Sequence, residues 1–433
     1  MAEEYDFAVV GAGIAGIAIA ELLQRSGKKV LLLESEGKLA SVSSAQQQGW
    51  FHTGALYAAF PTNQFFKSLV KNVDYLLSYY SGFPNMNLSY GRHVLRVASL
   101  QGWFNNSLTY YFYVNPAEKE ISLWKKPLWY LATLVAKSRL AWFEGIDFSG
   151  NIDVQINNLM IGRPLNRAKS SRRFDLRFDH DPIVLMSHDR PFNSMLIISD
   201  LVKSFLRSGG KIKLNSRVVK VRKHELVVSE KTNQEYVYQA KHIVLTTGMH
   251  AGELISGHQG IKVVKSPLLV VVPSLSDVNF VRLSMKSSSI INHFYHEVAE
   301  GGYSVIGNAA YYDADGVIDI DSLKSEMLGK ANRLFGSTVN ANNTSVYFGY
   351  KTELPGKSQL RNYQYRLIES DDCILALPGK LSFAFSLAVN FCKYYGIDPP
   401  VRIPSLEGEQ PYSISEPLHG LIASAIYQNI KGV

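Results

Sequence analysis

The sequence predicts an α/β fold with added antiparallel β structure, arranged in two lobes. Three observations predict it. The chain opens on a strand, a glycine turn, a helix and a second strand; residues 262–350 alternate side chains in strand fashion; and "CILALPGKLSFAFSLAVNFCKYYG" returns near the end to strand, glycine turn and helix. With 433 residues, 46% apolar and 19% charged, the chain has the composition of a globular protein with a large core.

In "DFAVVGAGIAGIAIAELLQRSGKKVLLLESE", Phe7 to Val10 reads as a buried strand, the following stretch to about Ser26 as an amphipathic helix, and Val30 to Leu33 as a second strand ending at Glu34. This is a Rossmann-type βαβ unit. Gly11 serves the tight turn, Gly13 lets backbone approach a pyrophosphate, and Gly16 lets the helix pack closely on the strand. Ala15 stands in the first helical turn, whose N-terminus favours negative charge. Glu34 is placed to accept both hydroxyls of an adenosine ribose, which selects FAD or NAD over NADP.

Next comes "SSAQQQGWFHTGALY", which sets three amides, two glycines and His52 in one short stretch. Residues 88–190 do not read as βαβ and carry an aromatic and basic insert near 101–145; within it, "KKPLWYLATLVAKSRLAWF" has apolar residues flanked by Lys and Arg and is a candidate for peripheral membrane contact. "SIINHFYHEV" and "GYSVIGNAAYY" read as antiparallel strands, with His293 and His296 assigned to one face. Near the end, "CILALPGK" is a buried strand with a Pro-Gly turn. Ser382 is placed to cap the helix that follows, and Gly396 stops that helix. The turn puts Lys380 beside a helix N-terminus, where the ammonium and the helix dipole reinforce each other.

Charge and cysteine content bound the remaining classes. Forty-five Lys and Arg against 37 Asp and Glu leave a formal charge of +8, compatible with anionic ligands. Cys373 and Cys392 show neither CxxC nor Cys/His spacing, so neither a disulfide framework nor a zinc site is expected, and "DADGVIDID" lacks the glycine and distal Glu of a calcium loop. No metal and no nucleic-acid partner are expected. The acidic opening "MAEEYDFAVVGAG" has no basic n-region, and a cytoplasmic location is the expectation.

Four stretches in order resemble the D-amino-acid-oxidase-like superfamily of FAD-dependent oxidoreductases, which includes glycine and sarcosine oxidases, L-2-hydroxyglutarate dehydrogenase and glycerol-3-phosphate dehydrogenase. They are GAGIAG with Glu34; "SSAQQQGWFHTGALY"; "GGKIKLNSRVVKV" with "HIVLTTGMHA"; and "ILALPGKLS" with its helix. The resemblance implies FAD as cofactor and a discontinuous FAD-binding domain of residues 1–87, 191–261 and 351–433, with residues 88–190 and 262–350 as the substrate domain. It implies pyrophosphate contact by Ser43 or Ser44, ring contact by Gln47, Gln48 and Gly49, adenine contact by Val219, and further contacts by Thr247, Gly248, Gly379, Lys380, Leu381 and Ser382. His52 keeps three readings: a polar contact under the flavin, a covalent link to it, or a core histidine.

The family meets substrate carboxylates with Arg, whose fork matches two oxygens. At the corresponding places this chain has Lys351 in "GYKTELPG" and Leu381-Ser382, so Arg92, Arg361 and Arg366 are the alternatives. Catalytic candidates are His52, Lys380, His293 and His296. The expected reaction moves a hydride from a CH–OH or CH–NH carbon of a small, anionic 2-hydroxy acid, amino acid or amine to FAD. A flavin-binding assembly subunit and a tailoring oxidase for a larger, carrier-bound substrate are the alternatives. The sequence leaves the oligomeric state open.

Overall fold

The computed structural model describes the chain except residues 1–3, 61–62, 100, 115–124, 158–173, 179–180, 232–233, 256–260, 286–288, 299–300, 337–338, 354–363, 371, 402, 404–421 and 433. The first sheet has a parallel centre. Strands β1 (Glu4–Val10), β2 (Val30–Leu33), β9 (Lys211–Lys213), β12 (Glu235–Leu245) and β20 (Ile374–Leu377) run parallel in the order β9, β2, β1, β12, β20. An antiparallel hairpin, β10 (Ser216–Arg222) and β11 (Glu225–Glu230), joins the early part of β12, and β19 (Arg366–Glu369) closes the other edge on β20.

Strand alternation in β1 assigns its two faces. Phe7 and Val9 pack under helices α1 (Ile14–Arg25), α2 (Gln64–Tyr80), α5 (Ser194–Arg207) and α7 (Ala384–Tyr394), while Ala8 and Val10 pack with Leu226 and Val228 of the hairpin. β1, α1 and β2 lie where the glycine pattern puts them. β1 extends to Glu4 because Glu4 and Tyr5 pair with Gln239 and Ala240 of β12.

The second sheet is mixed and mostly antiparallel: β6 (Thr109–Tyr113), β7 (Ile183–Ser187), β13 (Lys262–Val271), β14 (Asn279–Leu283), β15 (Ile291–Val298), β16 (Gly301–Asn308), β17 (Tyr312–Asp313) and β18 (Thr344–Glu353), with β6 and β14 parallel. Helix α6 (Ile320–Phe335) covers one face through Leu323, Met327 and Ala331. Helix α8 (Ile422–Lys431) packs on the opposite face through Ala423 and Tyr427. The boundary expected at 350/351 therefore falls inside β18, and α8 sits on the mixed sheet although it follows α7 in the chain.

Among the described residues there are two small sheets: β3 (Trp50–Phe51) pairs β8 (Arg190–Pro191) from a remote segment, and β4 (Leu88–Gly91) forms a local hairpin with β5 (Val94–Val97). The aromatic insert is partly core: Trp103, Phe104, Tyr111 and Tyr113 are fully buried, whereas Leu128, Tyr130 and Leu131 are exposed. It also contributes α3 (Lys125–Glu144), which buries Ala136, Leu140 and Phe143; α4 (Ile152–Asn157) follows. Among the described residues no helix is long and apolar enough to cross a membrane.

Candidate active site

A cavity of about 380 Å³ runs from the glycine turn after β1 to the face of the mixed sheet opposite α6. At its outer end Gly11, at φ +98°, sits where a Cβ would lie 2.8 Å from the Thr246 carbonyl oxygen, and a Cβ on Gly16 would lie 1.9 Å from that of Gly11. These contacts bring β1, α1 and β12 to backbone distance. The α1 N-terminus has no acidic residue in its first turn and no side-chain cap from Gly13. Ser44 Oγ instead accepts the Ile14 N–H at 3.0 Å. Glu34 Oε2 accepts from Ala12 N at 2.7 Å while Oε1 accepts from Ser35 Oγ and Glu36 N, which fixes the carboxylate at the cavity wall.

At the inner end the turn after β20 meets β3. Ser382 Oγ accepts the His52 N–H and donates to the Trp50 carbonyl, both at 3.3 Å. Lys380 Nζ lies 3.4 Å from His52 Nε2 and 5.2 Å from the centre of the Tyr57 ring. On its other side, His52 Nδ1 lies 3.5 Å from Oδ2 of Asp189, a fully buried residue between β7 and β8. Asp189 Oδ1 accepts from Thr53 N at 2.7 Å and Thr53 Oγ1 at 2.6 Å, and Oδ2 accepts from Tyr111 OH at 2.7 Å. Burial raises this carboxyl, but the interaction with His52, followed by the Thr53 and Tyr111 donors, outweighs it and holds the group below its ordinary range. Burial, reinforced by Lys380, pushes His52 down to about 4, so its imidazole is neutral at pH 7.

The FAD dependent oxidoreductase family model matches residues 6–360. The chain belongs to that family. Among solved structures, this FAD-dependent oxidoreductase is similar to L-α-glycerophosphate oxidase from Mycoplasma pneumoniae (13% identity, 95% of this chain and 100% of that one, TM-score 0.63). It is similar to NikD, an amino acid oxidase of nikkomycin biosynthesis (13%, 97% and 98%, 0.62), and to glycine oxidase from Geobacillus kaustophilus (12%, 96% and 98%, 0.61). At these identities the likeness is one of fold. No curated protein matches the sequence.

The residues present fit FAD. The N-terminus of α1, which has no acidic residue in its first turn, and the buried, unpartnered Thr247 Oγ1 and Gln46 Oε1 lie in the wall of one elongated cavity, which suits a ligand with an anionic middle and polar edges. Gly11, Gly13, Ala15, Glu34, Ser43, Ser44, Gln47, Gln48, Thr247, Gly248, Gly379, Lys380, Leu381, Ser382, His52 and Lys351 all line it. Gln47 and Gln48 reach protein partners as well: Gln47 bonds Ser194 and Gly49, and Gln48 Nε2 donates to Asn292 Oδ1 at 2.9 Å.

Other expected residues stand elsewhere. Val219 is 45% exposed at a β-bulge in β10, and its neighbour Val218 lines the cavity. Gly49 and Gly54 give room to protein: a Cβ would lie 3.0 Å from the Phe192 carbonyl oxygen in the first case and 2.7 Å from the Phe66 ring in the second. Ser382 does not cap α7; a 3₁₀ turn, Leu381–Phe383, precedes that helix and uses the serine to tie β3 instead.

His293 and His296 are three residues apart, so a period of two sends them to opposite faces of β15. His293 faces α6, with Nδ1 2.8 Å from the Val278 carbonyl oxygen and Nε2 2.7 Å from Ser304 Oγ. His296 stacks on Tyr303 at 4.9 Å, behind Gly49. Neither lines the cavity, and burial pushes both down to about 4.

Of the substrate candidates, Lys351 lines the cavity with Nζ 5.0 Å from the centre of the Tyr311 ring. Arg92 is exposed at φ +52° in the β4–β5 turn, Arg366 is exposed at the start of β19, and Arg361 lies outside the described residues. Sequence reasoning missed Asp189, Tyr111 and Thr53. The signal available was an acid in "SHDRPF" at the end of an apolar strand, which reads equally well as a turn.

Proposed function

We propose that this oxidoreductase oxidises a CH–OH or CH–NH carbon of a small anionic substrate, a 2-hydroxy acid or an amino acid or amine, at the inner end of the cavity. The convergence there of a neutral imidazole and two lysines carries the reading: Lys380 Nζ is 3.4 Å from His52 Nε2, and Lys351 is near enough to act on the same imidazole. FAD supplies the acceptor for the electrons and hydrogen lost from the carbon. Gly11, Gly13, Ala15, Glu34 and Ser44 would hold its nucleotide part, and Gln47, Gln48, Lys380 and Leu381 its ring part.

Lys351 attracts the substrate anion as a point charge. Among the described lining residues Arg217 is the one arginine, and it pairs with Glu253 at 3.0 Å on the nucleotide side, so fork recognition by Arg is not supplied at the inner end. Trp50 and Leu56 give that end an apolar wall. Glycerophosphate oxidase and the amino acid oxidases among the similar folds span both bond types.

Anaerobic addition of 2-hydroxy acids, amino acids and amines to the holoprotein tests this. Bleaching of the yellow band by an anionic member, and weaker bleaching by its uncharged analogue, is the expected result; bleaching indifferent to charge overturns it. One observation favours a larger carrier-bound substrate: α3 leaves Leu128, Tyr130 and Leu131 more than half exposed as a docking face. A carrier-linked acid that bleaches the protein when the free acid does not would select that reading.

A further inference from the structure

We propose that Asp189 is a positioning residue for His52: its carboxylate keeps the imidazole proton on Nδ1 and leaves the Nε2 lone pair at the cavity to take the proton that the substrate's O–H or N–H group loses. The inference rests on the proposed oxidation for its last step, and on the geometry alone for the rest.

Two independent contacts select the same tautomer. Asp189 is fully buried and receives donors on both oxygens, from Thr53 N, Thr53 Oγ1 and Tyr111 OH at 2.6–2.7 Å. Ionised Asp has acceptor capacity only, and this set of donors matches it. His52 Nδ1 is buried without a hydrogen-bond partner and lies 3.5 Å from Oδ2 of that carboxylate, a charge contact in which a lone pair on Nδ1 would oppose the negative charge, whereas an N–H is attracted. Nε2 meets the Lys380 ammonium at 3.4 Å, and an ammonium has donors only. Nε2 therefore carries the lone pair, and the substrate's O–H or N–H takes the place of the Lys380 contact before the proton moves.

Every element packed on the ring contributes to this balance. Asp189 comes from the β7–β8 turn, Lys380 from the turn after β20 and Lys351 from β18; Tyr57 lies with its ring centre 6.2 Å away, Tyr111 acts through Asp189, and the Trp50 ring covers one side at 4.0 Å. In the step, the substrate O–H or N–H bond breaks and Nε2–H forms. The pair left on oxygen or nitrogen closes the C=O or C=N bond as the C–H pair leaves to FAD. The imidazolium so formed is opposed by two lysines, and Asp189 is the carboxylate that offsets them. Thr53, adjacent in sequence, anchors Asp189 through both its N–H and its hydroxyl, which ties the acid's position to β3 and hence to the ring it serves.

Nitrogen NMR of histidine-labelled holoprotein, with His52→Asn to assign the signal, reads the tautomer without any substrate. The expected result is a proton on Nδ1 in the unmodified protein. In Asp189→Asn the amide N–H turns toward Nδ1 and transfers the proton to Nε2; with a bleaching substrate, the anaerobic rate falls at least about 100-fold with KM within about threefold, and Asp189→Glu recovers part of the rate. A proton on Nε2 in the unmodified protein overturns the proposal. So does Asp189→Asn that keeps both its rate and its pH profile, which would make Asp189 a purely structural anchor. A panel in which nothing bleaches defeats the proposed oxidation alone, and the unmodified protein's spectrum still decides the tautomer, as it does if Asp189→Asn does not fold.

Discussion

Single side chains at the inner end carry the proposed chemistry, and substitutions at two of them test binding apart from proton transfer. Lys380 lowers His52 through like charge, second to burial. Lys380→Met should therefore move the acid limb of the anaerobic reduction rate upward from about 4, while burial keeps it below the ordinary 6.5; stopped-flow rates across pH read this, and an unmoved limb would place Lys380 outside the proton balance. Lys351 sits on Tyr311 at the cavity wall, and in the proposed reading it attracts the substrate anion, so Lys351→Met should raise KM about tenfold or more and change kcat less. At the outer end, Gly16→Ala puts a methyl 1.9 Å from the Gly11 carbonyl oxygen, and the purified protein should be colourless. The glycines were legible because their roles are backbone roles with a short spacing. Asp189 was not, because its meaning depends on Thr53 and Tyr111, which are remote in the chain and adjacent only in the fold.

Elements position those residues by how they begin and how they alternate. The α1 N-terminus is held by Ser44 from another segment, and Ser44→Ala should cost about 1 kcal/mol and weaken FAD binding as well. Helix α6 is capped by Asp319, whose Oδ1 accepts from Asp321 N and Ser322 N at 3.1 Å on the far side of the mixed sheet. Asp319→Ala should cost a similar amount in urea unfolding and leave FAD affinity unchanged, so the pair distinguishes helix stability from site geometry. Strand parity shows the same dependence on register. In β15, Asn292, Phe294 and His296 face the dinucleotide lobe and His293 faces α6, while the bulge in β10 exchanges Val219 for Val218 at the cavity. Alternation is visible in sequence, but a bulge is decided by the partner strand.

At the scale of the molecule, the cavity exists because two sheets from interleaved segments close on one another, and this has a consequence for acid stability. His52, His293 and His296 are each pushed to about 4 from 6.5, so the unfolded chain binds their protons first; stability is full above about pH 6.5 and is lost as pH falls toward 4. Asp74 acts the other way, since burial raises it from 3.8 to about 6 and the folded state takes up its proton as pH falls through that window. Asp200, also raised by burial, acts with Asp74, so the three histidines outnumber two carboxyls and predict a net loss, at about 1.4 kcal/mol per pKa unit per group; urea midpoints at about pH 7 and pH 4.5 check the sign. FAD that binds only the closed form should raise the melting temperature with its concentration. The sequence by itself determined the α/β class, the nucleotide turn with Glu34 and the glycine loop bearing Lys380, because each is written in neighbouring residues whose local geometry has few alternatives; those residues left FAD or NAD open, and the resemblance of four separated stretches to one superfamily selected FAD. The tertiary structure decided which face each strand residue takes, that α8 belongs to the mixed sheet, and that His52 stands between Asp189 and Lys380, because burial and charge pairing are set by segments far apart in the chain that meet only when both sheets close.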